Sequence, residues 1–237
     1  MYVSIAVMNQ KGFANIVCSF FVVVLIGVAG YFVLVKRLAT LPTSQLQPTL
    51  SSVSTTNPNW KKYSGTLFEF EYPNLVSLKQ ESEGVSLGHF IAYKHVNLCD
   101  FKGDAPPLEK LSDFSVSLSV FNKNLRDTIQ SNEGSNYIVD NFFENNTLKI
   151  SQGFIDEFTV GSLKGFQITS GVEGCGHFTY YFPISSTKTL FVNRSFIPEL
   201  SPISSDFKKY LNLSGIISPY QEKEFFVKII SSIKIKS

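Results

Sequence analysis

From Gly12 to Val35 the chain runs through 24 residues without a charge, and only Asn15 and Ser19 among them are clearly polar. No soluble element of ordinary length needs such a run. As a helix it would span roughly 36 Å at about 1.5 Å per residue, enough to cross a hydrocarbon layer of about 30 Å with some tilt. A secretory apolar core is shorter, about 7–15 residues, and no small-x-small cleavage site followed by a polar mature start ends this run. The expectation is an uncleaved transmembrane helix over 12–35, behind a short N-terminal segment, 1–11. Lys11 on one side and Lys36 and Arg37 on the other nearly balance, so charge decides orientation weakly. The short N-terminus, the Ser/Thr/Pro-rich linker beyond the run and a pair of later cysteines favour the C-terminal part outside the cell membrane. The compact start "MNQKGF" also places the expected start of translation at Met8.

Two rivals for this segment are weighed on residues. "KGF" resembles a type IV prepilin cleavage site, but the Glu expected five residues into the mature helix is Val17 here. The segment after the membrane run also lacks the helical period of a pilin stem. A lipoprotein would carry its Cys at the end of the apolar run, whereas Cys18 lies near its beginning and reads as a small apolar residue.

Residues 36–59 form a linker. Its stretch 41–59 is rich in Ser, Thr, Pro, Gln and Asn and has no charge, with Pro42, Pro48 and Pro58 interrupting any regular element. Such a composition cannot bury a core and acts as a tether, reaching roughly 25 Å.

Beyond Trp60 the charge balance changes. All 19 acidic residues of the chain lie from Glu69 onward, against 18 Lys and Arg beyond Trp60. A near-neutral domain has no electrostatic footprint for nucleic acid. The 22 Phe and 10 Tyr favour a sheet-rich core.

Alternation predicts the strands. "TLFEFEYP" (66–73) sets Phe68, Phe70 and Tyr72 against Glu69 and Glu71. "FSVSLSVF" (114–121) sets Phe114, Val116, Leu118 and Val120 against three serines. "GHFIAYKHV" (88–96) reads as another strand. Hairpins are expected over 157–173, pivoting on Lys164-Gly165, and over 177–196, turning through Ile184 to Lys188. Helices are expected over 135–146, with Ile138/Phe142 and Val139/Phe143 four apart, and over 218–232. The second has Ser218 as N-cap, Pro219 at the first position, Gln221 completing a capping box, and a stripe of Phe225, Phe226, Ile229, Ile230 and Ile233. "IKIKS" closes as a strand. This order predicts α+β, an antiparallel β-sheet flanked by helices, over 60–237.

"WKKYSGTLFEFEYP" (60–73), with Phe68, Phe70, Tyr72 and Pro73, resembles the opening of PsbP-like domains. "GSLKGFQI" (161–168) is similar to the middle hairpin of that group, and "EFFVKIISSIKIKS" (224–237) to its closing helix and strand. The likeness covers most of 60–237 as a pattern of aromatics and turns. It implies an α/β/α sandwich that binds or assembles rather than catalyses, and it implies no photosynthetic partner.

Chemistry-bearing residues are few. An even pair, Cys99 and Cys175, in an exported domain predicts a disulfide. The alternative is a metal centre of His95, Cys99, Cys175 and His177, a set zinc accepts tetrahedrally, against which both histidines read as strand-edge residues. His89 has no companion in the sequence. Asp100, Asp104 and Glu109 lack calcium-loop spacing, and Asp156-Glu157 reads as surface. "GSLKG" has its Ser misplaced for a nucleophile elbow, and no Walker loop, H-E-x-x-H or G-x-G-x-x-G occurs. The expectation is therefore no enzyme and no cofactor: a single-pass extracytoplasmic protein whose partners are the bilayer, through 12–35, and an envelope protein. A pilin-like component and an unrecognised extracytoplasmic enzyme are the alternatives.

Overall fold

Strand β5, Leu108–Phe121, shows how the alternating pattern becomes a core. Phe114, Val116, Leu118 and Val120 are buried on one face of its sheet, while Ser115, Ser117 and Ser119 lie half-buried on the other. In this computed structural model residues 59–172 and 174–236 are described. The transmembrane helix expected over 12–35, its flanks and all but Asn59 of the linker lie outside them. Among the described residues no helix is long and apolar enough to cross a membrane.

The strands are β1 (Trp60–Ser64), β2 (Phe68–Pro73), β3 (Ser77–Gln80), β4 (Gly84–His95), β5, β6 (Phe143–Glu144), β7 (Thr147–Leu148), β8 (Ile155–Val160), β9 (Leu163–Val172), β10 (Cys175–Ser185), β11 (Lys188–Ser195) and β12 (Lys234–Ile235). The helices are α1 (Leu125–Asn132), α2 (Tyr137–Phe142), α3 (Phe207–Leu211) and α4 (Pro219–Ser231), with one 3-10 turn at Pro198–Leu200. Seven strands form one antiparallel sheet in the order β3-β4-β5-β11-β10-β9-β8, and β1-β2-β12 form a second, also antiparallel. The α+β expectation therefore holds: antiparallel sheets dominate and helices flank them.

The main core lies on one face of the large sheet. Phe68 and Phe70 of β2, and Phe225, Phe226, Ile229 and Ile230 of α4, pack over Leu87, Leu118, Tyr180, Phe182 and Val192. α4 starts where its sequence says it should. Ser218 Oγ accepts from Gln221 N at 3.4 Å and Gln221 Oε1 accepts from Ser218 N at 3.1 Å, closing the capping box. The opposite face is covered over β8–β10 by α1 and α2, through Ile129, Ile138, Val139, Ile155, Ile168 and Tyr181. A third cluster, Leu111, Leu200 and Tyr210, ties the outer part of β5 to the 3-10 turn and α3.

Three expectations need correction. The 157–173 hairpin turns at Gly161-Ser162, not at Lys164-Gly165, since Val160 pairs with Leu163. Gly161 has φ +57, which glycine adopts freely. Gly165 is instead inside β9, where a Cβ would meet the Tyr181 carbonyl oxygen at 2.1 Å, so its role is close strand approach. The helix expected over 135–146 ends at Phe142, where Phe143 is already extended as β6, and Asn145 and Asn146, with φ of 50 and 64, form the turn of the β6–β7 hairpin. Finally, α1 and α3 are additional helices. α1 begins with Asn124 Oδ1 accepting from Asp127 N at 2.8 Å, and it buries only Thr128 and Ile129, too few positions to leave a periodic signal.

Candidate functional site

The C-terminal end of β11 lies between two cavities. One, of about 280 Å³, is bounded by Asp113, Phe178, Arg194, Phe196, Leu200 and Glu222. The other, of about 250 Å³, is bounded by His95, Cys99, Lys110, Ser115, Ser195 and Glu199. Ser195, Phe196 and Ile197 border both cavities, whereas Arg194 borders the first alone and reaches α4 through Glu222; Ser195 Oγ lies 3.4 Å from Ser115 Oγ.

In the first cavity Arg194 is the central charge. Its Nε donates to Glu222 Oε1 at 2.8 Å, its Nη2 donates to Glu222 Oε2, and Nη1 reaches Tyr180 Oη at 3.5 Å. The guanidinium also lies over the rings of Phe226 and Phe178, at 4.8 and 5.4 Å. Burial works against its charge, but the Glu222 carboxylate more than offsets this and holds the Arg194 pKa above the ordinary arginine value. Burial likewise pushes the Tyr180 phenol up, with Arg194 opposing.

Asp113, with no exposed surface, sits beside the same cavity. Its Oδ2 accepts from the backbone N of Ile217 at 2.6 Å and its Oδ1 lies 2.7 Å from His89 Nδ1. His89 therefore has a companion after all, on the neighbouring strand beside a register shift between His89 and Phe90. The 24-residue separation hid the pair, and nothing in the surrounding "LEKLSDFSVS" marks Asp113.

In the second cavity His95 ends β4. Its Nδ1 lies 2.8 Å from the Val96 carbonyl and 3.3 Å from Glu199 Oε1, and its Nε2 lies 3.2 Å from the Lys110 carbonyl. Both ring nitrogens face oxygens of the protein, so the ring is held rather than offered. Beside it Cys99 and Cys175 are bonded, with Sγ atoms 2.09 Å apart. That is the expected disulfide, and it removes both thiolates from the alternative His95, Cys99, Cys175, His177 metal set. His177 lies in β10, paired in register with Ser195 and Ser170. Among the described residues no cluster of three or more His, Cys, Asp or Glu is arranged to hold a metal.

Two further acids have structural partners. Asp100 accepts from Lys102 N at 3.2 Å and from Ala105 N at 2.7 Å, shaping the 99–105 turn. Glu133, which the sequence does not single out, caps α1 and accepts from Thr179 Oγ1 at 2.8 Å and from the Tyr181 hydroxyl. Burial, then the charge of Glu133, drives the Tyr181 pKa far above the ordinary tyrosine value.

No family model matches this chain, and no curated protein matches it. Among solved structures it is similar to a protein from Bacteroides thetaiotaomicron VPI-5482, with a TM-score of 0.38 and 8% identity over 75% of this chain and 48% of that one. This chain thus spans about half the length of that protein, and a likeness at this level bears on neither family nor function.

Proposed function

We propose that this chain is a membrane-tethered extracytoplasmic binding or assembly module. The observation that carries the reading is the Cys99–Cys175 bridge, which joins the loop after β4 to the start of β10 across 76 residues of sequence. Such bonds persist in oxidising compartments and are rare where thiols are kept reduced. A bridged domain behind an apolar run of 24 residues and a linker uncharged over 41–59 belongs on the outer side of the membrane. The two cavities suit recognition, because Arg194, Asp113 and His95 are each already engaged by protein partners. A PsbP-like α/β/α sandwich is the finer form of this reading. Its support is the packing of α4 on one face of the large sheet and of α1 and α2 on the other.

Thiol labelling of the protein in its own cells tests the compartment. After unfolding without reductant one cysteine, Cys18, is expected to label, and all three after unfolding and reduction. Three reactive thiols before reduction would end the proposal.

A second reading, an extracytoplasmic enzyme, draws on the His89–Asp113 pair, since a buried carboxylate on Nδ1 orients an imidazole as a general base. Turnover of ester, peptide or glycoside substrates that disappears in His89→Gln, with the unfolding midpoint kept, would favour it over binding.

A further inference from the structure

The outer side of α4 carries a second stripe. Tyr220, Lys223, Glu224, Val227 and Lys228 recur at the three- and four-residue spacing of one helix face, opposite the buried Phe226, Ile229 and Ile230. With Trp60 they bound a shallow groove of about 660 Å³. Tyr220 is 72% and Val227 40% exposed, so this outer face carries apolar surface while the inner face fills the core. Trp60 stands edge-on to Phe225 with centroids 6.0 Å apart, and Lys228 Nζ lies 4.0 Å over its indole. The Glu224 carboxylate is drawn to the Tyr220 hydroxyl, which raises the phenol pKa.

Trp60 is also where the linker enters the described fold, as the first residue of β1. A tether raises the effective concentration of whatever it holds near its attachment, and the groove is at that attachment. Besides Glu224, whose carboxylate is turned to the Tyr220 hydroxyl, and Phe225 and Ser231, its lining is Trp, Tyr, one aliphatic side chain and two lysines. These are the groups that sit at headgroup level, aromatic rings at the boundary and ammonium groups on long stems reaching anions.

We propose that the Trp60–α4 stripe docks on the bilayer surface, with Trp60 and Tyr220 at headgroup depth and Lys223 and Lys228 on anionic headgroups. This rests on the anchored reading above. Docking fixes which side of the domain faces away from the membrane. The docking stripe shares no bounding residue with the cavities flanking β11, although Pro219 and Glu222 of α4 bound the first of them.

Trp60 is the only tryptophan of the chain, so its fluorescence reports on this groove alone. Full-length protein is reconstituted into vesicles of phosphatidylcholine, with and without phosphatidylglycerol, carrying a quencher at shallow acyl depth. Flotation and Trp60 quenching are read together. The expected result is flotation in both lipids, with quenching strongest in the anionic one and reduced by salt. Each lysine should contribute about fivefold to the docked population, so Lys223→Glu with Lys228→Glu should bring quenching to the phosphatidylcholine level at an unchanged unfolding midpoint. Tyr220→Ser with Val227→Ser should also lower it in both lipids. A chain that floats with Trp60 unquenched, or with quenching indifferent to all four substitutions, overturns the docking and leaves the anchor standing. Trp60 shielded from aqueous quencher in native membranes but exposed in pure lipid assigns the groove to a protein and likewise overturns it. A chain that does not float overturns the anchor and the docking together.

Discussion

Asp113 is a residue whose removal should be felt far from its own strand. It holds the backbone N of Ile217 and His89 at once, so it joins β5 to β4 and to the residue just before the α4 cap. Asp113→Ala would leave a buried donor without an acceptor and should cost about 3 kcal/mol, read as a lower urea midpoint at constant slope. Asp113→Asn, which keeps one acceptor oxygen, should cost less. Arg194 and Glu222 are a sharper case, with side chains only 18% and 8% exposed. Glu222→Gln strands a buried cation and should cost about 3–5 kcal/mol, whereas replacing both partners with Met and Leu should recover most of that loss. Equal losses in the single and double variants would show that packing, not charge, decides the site. None of these pairs is visible in the sequence, because their members lie 24 to 104 residues apart and nothing local marks them.

Among the elements, α4 is the most legible. Its cap, its proline, its capping box and its apolar stripe are all local signals, and the helix obeys them from Pro219 to Ser231. Ser218→Ala should cost about 1 kcal/mol, measurable as a small shift in the unfolding midpoint. The 114–121 strand is equally legible, because period-2 alternation is its own evidence. The β8–β9 turn departs from its expected place for a different reason. Two glycines, Gly161 and Gly165, compete as pivots in the sequence, and only strand pairing reveals that Gly165 is small to let the Tyr181 carbonyl approach. The shortened α2 obeys the same logic: Phe143 and Glu144 pair in a hairpin whose turn is Asn145-Asn146 at positive φ, although asparagines alone do not forbid a helix.

For the whole molecule, stability should depend on redox state and on alkaline pH. Closing a loop across 76 residues contributes about 4 kcal/mol in the chain-entropy treatment. Cys99→Ser with Cys175→Ser should therefore lower the unfolding free energy by that order, and reductant should do the same to the parent. Tyr180 and Tyr181 both hold their protons above the ordinary tyrosine value of 10.0 when folded. The unfolded chain releases those protons first, so above about pH 10 it binds fewer protons than the folded one and stability falls as pH rises. Urea midpoints measured from neutral to alkaline pH should stay level and then drop, and Tyr181→Phe should soften the drop while losing the bond to Glu133. By itself the sequence determined the elements whose signals are local: the alternating strands, the capped final helix, the antiparallel α+β class and the pairing of the two cysteines outside the apolar run. Only the tertiary structure decided the strand order, the burial of Arg194 against Glu222, the His89–Asp113 contact and the groove at Trp60. Those depend on which distant segments share a sheet or a helix face, and residue spacing along a chain does not encode distance in space.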